Sequence, residues 1–124
     1  MNRKLKFRYW DAKINKISEW IPGVSLNDKD LIIMQYTGLD DTDGISIFEG
    51  DIIDSCYEFD YEEPYGGQGY AWDDFNGVVE WNDNCASFYI RSPMLRSGKK
   101  YFNEINLKRT NVIGNIFENP ELLK

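Results

Sequence analysis

Apolar residues in this chain recur in short runs, and each run is closed by a turn-forming residue before a helical repeat can develop. Leu5, Phe7 and Tyr9 alternate with Lys6, Arg8 and Trp10, the period-two pattern of a strand with one apolar face. Asp11 to Lys16 reads as a polar turn, Ile17 to Ile21 as a second short strand ended by Pro22-Gly23, and Ser25 to Asp30 as a polar connector. The continuous run Leu31-Ile32-Ile33-Met34-Gln35-Tyr36 is rich in β-branched residues, which predicts a buried strand closed by Thr37-Gly38. Asp43-Gly44 marks a tight turn needing positive φ, and Gly50 a turn or bulge ahead of Ile52-Ile53. Gly77 to Trp81 and Cys85 to Ile90 read as a hairpin about Asn82-Asp83-Asn84. Val112 to Phe117 is a final strand, and Asn119-Pro120-Glu121 supplies an N-cap, a first-position proline and a first-turn acid for one closing helical turn. No internal repeat or low-complexity tract interrupts this pattern, so the fold class is mainly β.

The chain has 124 residues, the usual size of one domain, and its seven Phe, eight Tyr and four Trp supply large rigid units for a core. Its formal charge is -7, from twenty-one Asp and Glu against fourteen Lys and Arg. That imbalance is local. Asp54, Glu58, Asp60, Glu62, Glu63, Asp73 and Asp74 fall in a stretch, Asp54 to Asn76, that contains no Lys or Arg; outside it the charges balance at fourteen each. Arg91, Arg96, Lys99, Lys100, Lys108 and Arg109 form a basic stretch opposed only by Glu104, which reads most simply as a solvated hairpin or loop. Net acidity argues against generic binding of a phosphate backbone, which Lys and Arg drive by releasing counterions.

Cys56 and Cys85 are too few for a disulfide framework and too far apart for a CxxC unit, so both are expected to be reduced packing thiols. With no histidine, a zinc site is not expected. The basic Met1-Asn2-Arg3-Lys4 precedes a charged, alternating stretch rather than an apolar signal core, and no run approaches the ~20 apolar residues of a membrane span. A cytoplasmic protein is expected, with no membrane association and no cofactor.

Five blocks in order carry a family resemblance. They are Lys6-Phe7-Arg8-Tyr9-Trp10-Asp11, Met34-Gln35-Tyr36-Thr37-Gly38-Leu39-Asp40-Asp41, Phe48-Glu49-Gly50-Asp51-Ile52-Ile53, Gly77-Val78-Val79-Glu80-Trp81, and Val112 to Leu123. Together they resemble the YopX family of bacteriophage and prophage proteins. The resemblance implies an N-terminal β-rich subdomain over residues 1–48 followed by a small SH3-like barrel over residues 49–124, ending in a short helical turn. It also implies a place in phage genomes, but no established biochemical role and no catalytic residue to carry over. The acidic, tyrosine-rich segment 54–76 departs from the family's usual pattern as an insertion.

Without histidine, a catalytic centre would have to use carboxylates, Lys, Tyr or the two Cys. Glu62-Glu63 and Asp73-Asp74 are paired carboxylates, but neighbouring acids in a glycine-rich segment are ordinarily solvated charges, and adjacent strand residues point to opposite faces. Asp41-Thr42-Asp43-Gly44 has the start of a calcium-loop pattern, yet aligning Gly44 with the invariant glycine puts Leu39 and Gly50 at ligand positions, so it reads as turn chemistry. In Glu49-Gly50-Asp51, glycine is expected to take a special backbone conformation and Asp51 to bond nearby amides. Trp10 and Trp81 read as packing residues.

The 54–76 segment is different, because it carries seven aromatic residues among its acids. Tyr57, Tyr61, Tyr65, Tyr70, Trp72, Asp73 and Asp74 are its candidate binding residues, since rings offer rigid contact area and carboxylates select Lys or Arg. The simpler reading has alternate rings covering the barrel while the acids face water. The expected function is a non-enzymatic protein-interaction module for a host or phage protein. The alternative is a nucleic-acid-binding barrel using Arg91, Arg96, Lys99 and Lys100, and complementary acidic and basic segments also allow a homo-oligomer.

Overall fold

A computed structural model describes residues 5–20 and 30–123, and the protein is mainly β. The first sheet contains β1 (Phe7–Asp11), β2 (Lys16–Glu19), β3 (Leu31–Asp40) and β4 (Ser46–Phe48), in the order β2-β1-β3-β4. The second contains β5 (Asp51–Glu62), β6 (Gln68–Asn82), β7 (Ser87–Arg91), β8 (Lys99–Tyr101) and β9 (Asn111–Asn115), in the order β8-β7-β6-β5-β9. Every strand pair is antiparallel. Among the described residues, helical structure is confined to 3-10 turns at Phe102–Glu104, Leu107–Arg109 and Pro120–Leu123. Among the described residues, no helix is long and apolar enough to cross a membrane. The basic N-terminus, the Pro22-Gly23 strand end and the connector that starts at Ser25 lie outside the described residues, apart from Asp30.

Four local expectations need correction. Thr37-Gly38 does not end β3: Gly38 adopts φ 88° and the strand continues, with a bulge where Tyr36 pairs with Phe48 and Asp40 with Ser46. Nor is the 31–36 run buried throughout: Met34 and Tyr36 are buried, whereas Ile32, on the same face nearer the start of the strand, is 45% exposed. The turn after β6 falls at Asp83 to Ala86, where Ala86 takes φ 50°, so Cys85 lies in the turn and is exposed while Cys56 is buried. Finally, the Asn119 side chain turns back to accept from the Asn115 amide (3.3 Å) and packs over Gly114, where a Cβ would meet it at 2.6 Å.

Ile47, Ile53, Phe75, Val79, Phe88, Ile90 and Leu95 form the main core cluster, flanked by Tyr57, Phe102, Ile105 and Val112. Two buried aspartates organise the polypeptide around it. Asp41 accepts from the amides of Asp43 (2.8 Å) and Ile45 (2.9 Å) in its own turn, and from Val112 in β9 (2.9 Å). Burial pushes its carboxyl up, but the three amide bonds together outweigh that and hold it below the ordinary value. Asp51 opens β5, accepting from Arg8 Nη2 at 2.6 Å and from the Phe48 amide at 2.8 Å. Its side chain is only 1% exposed and that of Arg8 15%, so the pair is an internal link from β1 to β5. Burial pushes Asp51 above the ordinary carboxylate value, against the opposing pull of Arg8 and the Phe48 amide.

Gly50 sits between these partners with φ 83°, donating to Val79 O and accepting from the Ile116 amide, each at 2.9 Å. A Cβ there would meet Met34 Sδ at 3.1 Å, so glycine answers both a backbone and a space requirement. The expected bonding of Asp51 to a nearby amide is therefore present, together with an ion pair that the sequence pattern did not announce.

Two stability predictions follow from the aspartates. Arg8→Ala leaves Asp51 buried without its cation, so urea denaturation at pH 7 should show a loss of about 3–5 kcal/mol. The loss should shrink toward pH 4, because a protonated Asp51 no longer requires the guanidinium; an equal loss at both pH values would contradict this account. Asp41 acts with the opposite sign. Its lowered folded value gives stability that is full above the unfolded value and lost as pH falls through the folded one, so Asp41→Asn should flatten the acid limb of the stability profile.

Candidate functional site

The acidic segment forms a β-ribbon. β5 and β6 pair from Ile52↔Val78 to Glu62↔Gln68, and the turn is held by Glu63 N to Gly67 O and Gly66 N to Glu63 O, each 3.1 Å. Gly66 (φ 89°) and Gly67 (φ 103°) supply the left-handed backbone that the turn needs, and Tyr65 at its tip is fully exposed. β9 flanks β5 only from Asp51 to Asp54, and β7 flanks β6 only from Val78 to Asn82. Among the described residues, the rest of the ribbon stands as two strands with no third. A hairpin of this kind is marginal in water unless something else holds it.

The strict alternation Tyr57-Glu58-Phe59-Asp60-Tyr61-Glu62 sorts its side chains, since successive strand residues face opposite ways and directly paired residues share a face. One face carries Tyr57, Phe59 and Tyr61 beside Asp73, Ala71 and Gly69. Its rings make a continuous ladder that starts on buried Phe75: centroids lie 5.8 Å from Phe75 to Tyr57, 6.2 Å on to Phe59 and 6.4 Å on to Tyr61. The Tyr61 ring covers Gly69, where a Cβ would meet it at 2.3 Å. Tyr57 is fixed further by its hydroxyl, which donates to Asp73 Oδ2 (3.2 Å), and by Lys100 Nζ, 4.7 Å from its ring centre. Burial, then the neighbouring Asp73, raises the phenol of Tyr57 above its ordinary value.

The other face carries Glu58, Asp60 and Glu62 from β5 beside Trp72, Tyr70 and Gln68 from β6, with Asp74 one pair nearer the body. Tyr70 is 65% and Trp72 49% exposed. This face combines unburied rings with a row of carboxylates.

The seven candidate residues therefore do not form one patch. Tyr57, Tyr61 and Asp73 belong to the ladder face, Tyr70, Trp72 and Asp74 to the acidic face, and Tyr65 to the tip. Each sequence reading describes part of the ribbon: rings run back to the core on β5, while β6 places two rings among the acids. Glu58, Asp60 and Glu62 were absent from the candidate set, although the period-two alternation was sufficient to put them beside Tyr70 and Trp72.

The basic stretch does not form one face either. Arg91 Nε is engaged by Glu80 Oε2 at 2.8 Å. Lys99 lies 5.7 Å from the ring centres of Tyr89 and Tyr101, whereas its neighbour Lys100 points to the opposite side of β8, over Tyr57 and 3.8 Å from Glu104 Oε2. Arg96 is exposed in the β7–β8 connection.

Between the sheets lies a cleft of about 400 Å³, lined mainly by apolar residues including Met34, Val79, Trp81, Ile116 and Phe117. Its carboxylates are already used: Glu49 Oε1 accepts from the Gln35 amide (3.0 Å), and Glu80 accepts from the Tyr89 hydroxyl (2.7 Å) as well as from Arg91. Trp10 stacks on Phe117 beside it, with centroids 5.3 Å apart, and Trp81 packs edge-on against Phe88 at 4.8 Å, as expected of packing residues. Among the described residues, no group of three or more Cys, Asp or Glu is placed to hold a metal ion.

Comparison with known proteins agrees with this architecture. The chain is similar to the crystal structure of protein EF1440 from Enterococcus faecalis, with a TM-score of 0.61 and 25% identity, covering 99% of this chain and 100% of that one. No curated protein sequence matches it. A family model described as YopX protein matches residues 10–124, nearly the whole length, and the chain belongs to the YopX family.

Proposed function

We propose that the protein is a non-enzymatic interaction module of phage or prophage type, acting in the cytoplasm of a bacterial host and binding a basic surface of a host or phage protein through the β5–β6 ribbon. In this reading the second sheet is a small SH3-like half-barrel that carries the ribbon. The observation that supports it best is the division of the ribbon into two faces. The ladder fixes the ribbon to the core, which leaves Glu58, Asp60, Glu62, Asp74, Tyr70 and Trp72 on a face that packs on nothing in the main core cluster. Exposed rings next to carboxylates suit Lys or Arg, whose charge pairs with the acids while the stem covers the ring.

Nucleic-acid binding is the weaker reading, because Arg91 is engaged by Glu80 and the two lysines of β8 are on opposite faces. For an enzyme, the cleft between the sheets offers only carboxylates that already accept hydrogen bonds.

The ribbon can be removed without opening the core. Tyr57 and Asp73 are directly paired, so replacing residues 58–72 by Asn-Gly should close a two-residue hairpin in register and keep Phe75 in place. Captured on resin from lysate of infected cells, the wild-type protein should retain a basic partner that the shortened protein loses at an unchanged melting temperature. Equal capture by both would refute the proposal.

A further inference from the structure

The ribbon has two long backbone edges, and their phase can be established. On β5 the Cys56 carbonyl points away from β6, because it accepts from the Asn106 amide at 3.0 Å. On β6 the Asn76 amide likewise points away from β5, toward Met94 Sδ at 3.5 Å. Alternate residues of an antiparallel strand turn both backbone groups to the same side. Glu58, Asp60 and Glu62 therefore direct their N–H and C=O groups outward along β5. The protein's own chain serves this edge as far as Cys56: β9 pairs with Asp51 to Asp54, and Asn106 follows at Cys56. Among the described residues no strand continues along it to Glu62.

Resting on the proposed interaction role, we infer that the partner binds as an extended strand added antiparallel to the free edge of β5, with Lys or Arg at every second residue. Two observations set that pattern. A residue directly opposite Glu58, Asp60 or Glu62 shares its face, about 5.5 Å away between Cα atoms, so a cation there meets a carboxylate. The alternate residues of the added strand lie beside Phe59 (39% exposed) and Tyr61 (43% exposed) on the ladder face, which calls for apolar side chains. The β5 edge of a second copy does not fit, because edge-to-edge pairing of two β5 strands would set acids against acids. A basic strand is complementary in backbone, charge and apolar spacing at once.

The test uses the intact protein and a fluorescein-labelled nine-residue peptide alternating lysine and valine, followed by anisotropy at low salt. In the inferred register the lysines, opposite the acids, contribute the amides that bond to β5, and the valine amides point away. N-methylation of the lysine amides should weaken binding at least tenfold, while N-methylation of the valine amides should leave it within about threefold. Equal affinity for the two methylated peptides would overturn strand addition and leave the acidic-surface reading standing. If the lysine–valine peptide binds no more tightly than a glutamate–valine peptide, both readings fall.

Discussion

The four residues Phe48 to Asp51 join the two sheets, linking β1, β3, β6 and the segment after β9, and they do so mainly through backbone groups. Glu49 exchanges bonds with Gln35 in β3, Gly50 with Val79 in β6 and Ile116 after β9, and Asp51 with Arg8 in β1. Arg8 also donates to the Glu49 carbonyl and lies 4.6 Å from the Phe48 ring centre, so its desolvated cation is held by a carboxylate, a carbonyl and a π face together. Such an ion pair adds little net stability relative to apolar packing, because both charges have left water. Its value is geometric. It ties β1 to the first residue of β5, from which the β5–β6 register runs out to Glu62.

From that starting point the ribbon is an extension of the core. Ile53 and Phe75 are buried, Tyr57 is half-buried against them, and Phe59 and Tyr61 continue the same face into solvent. Each ring contact of this kind adds about 0.5–1.5 kcal/mol beyond its area. The small residues opposite, Ala71 and Gly69, make room for rings that cross onto β6; Gly69 in particular is covered by Tyr61, which offsets the weakness of a glycine in a strand. Tyr57 and Tyr61, two of the four tyrosines that look like binding residues in the sequence, are in this respect construction. Their fixed positions free the other face from any structural duty.

How far the sequence discloses this depends on the range of the interactions involved. The strands at Phe7, Leu31, Gly77 and Asn111, and the turns at Gly44 and Gly50, were legible because alternation and positive-φ glycines act within a few residues. Thr37-Gly38 was misjudged because a bulge and a strand end share the same local chemistry, and only pairing with β4 separates them. The Arg8–Asp51 link spans 43 positions and has no local signature. The candidate site was legible as a segment but not as a surface. Grouping residues by type put Tyr57 with Tyr70, whereas strand geometry puts them on opposite faces.

The free edge of β5 raises a last question, why its acids are there at all. Charged residues along an edge are a common defence against unwanted pairing, and lysine serves that purpose as well as glutamate. A mixture of signs would have been equally protective, and outside this segment the chain is neutral. Here the charge is of one sign and lies mostly in the part of the ribbon that, among the described residues, no third strand flanks. A defence of this form repels acidic strands while leaving basic ones unopposed, so under the proposed strand addition the same carboxylates that disfavour pairing of two β5 edges also select which strand is admitted. Protection and recognition are then one property of the edge, distinguished only by the charge of what approaches it.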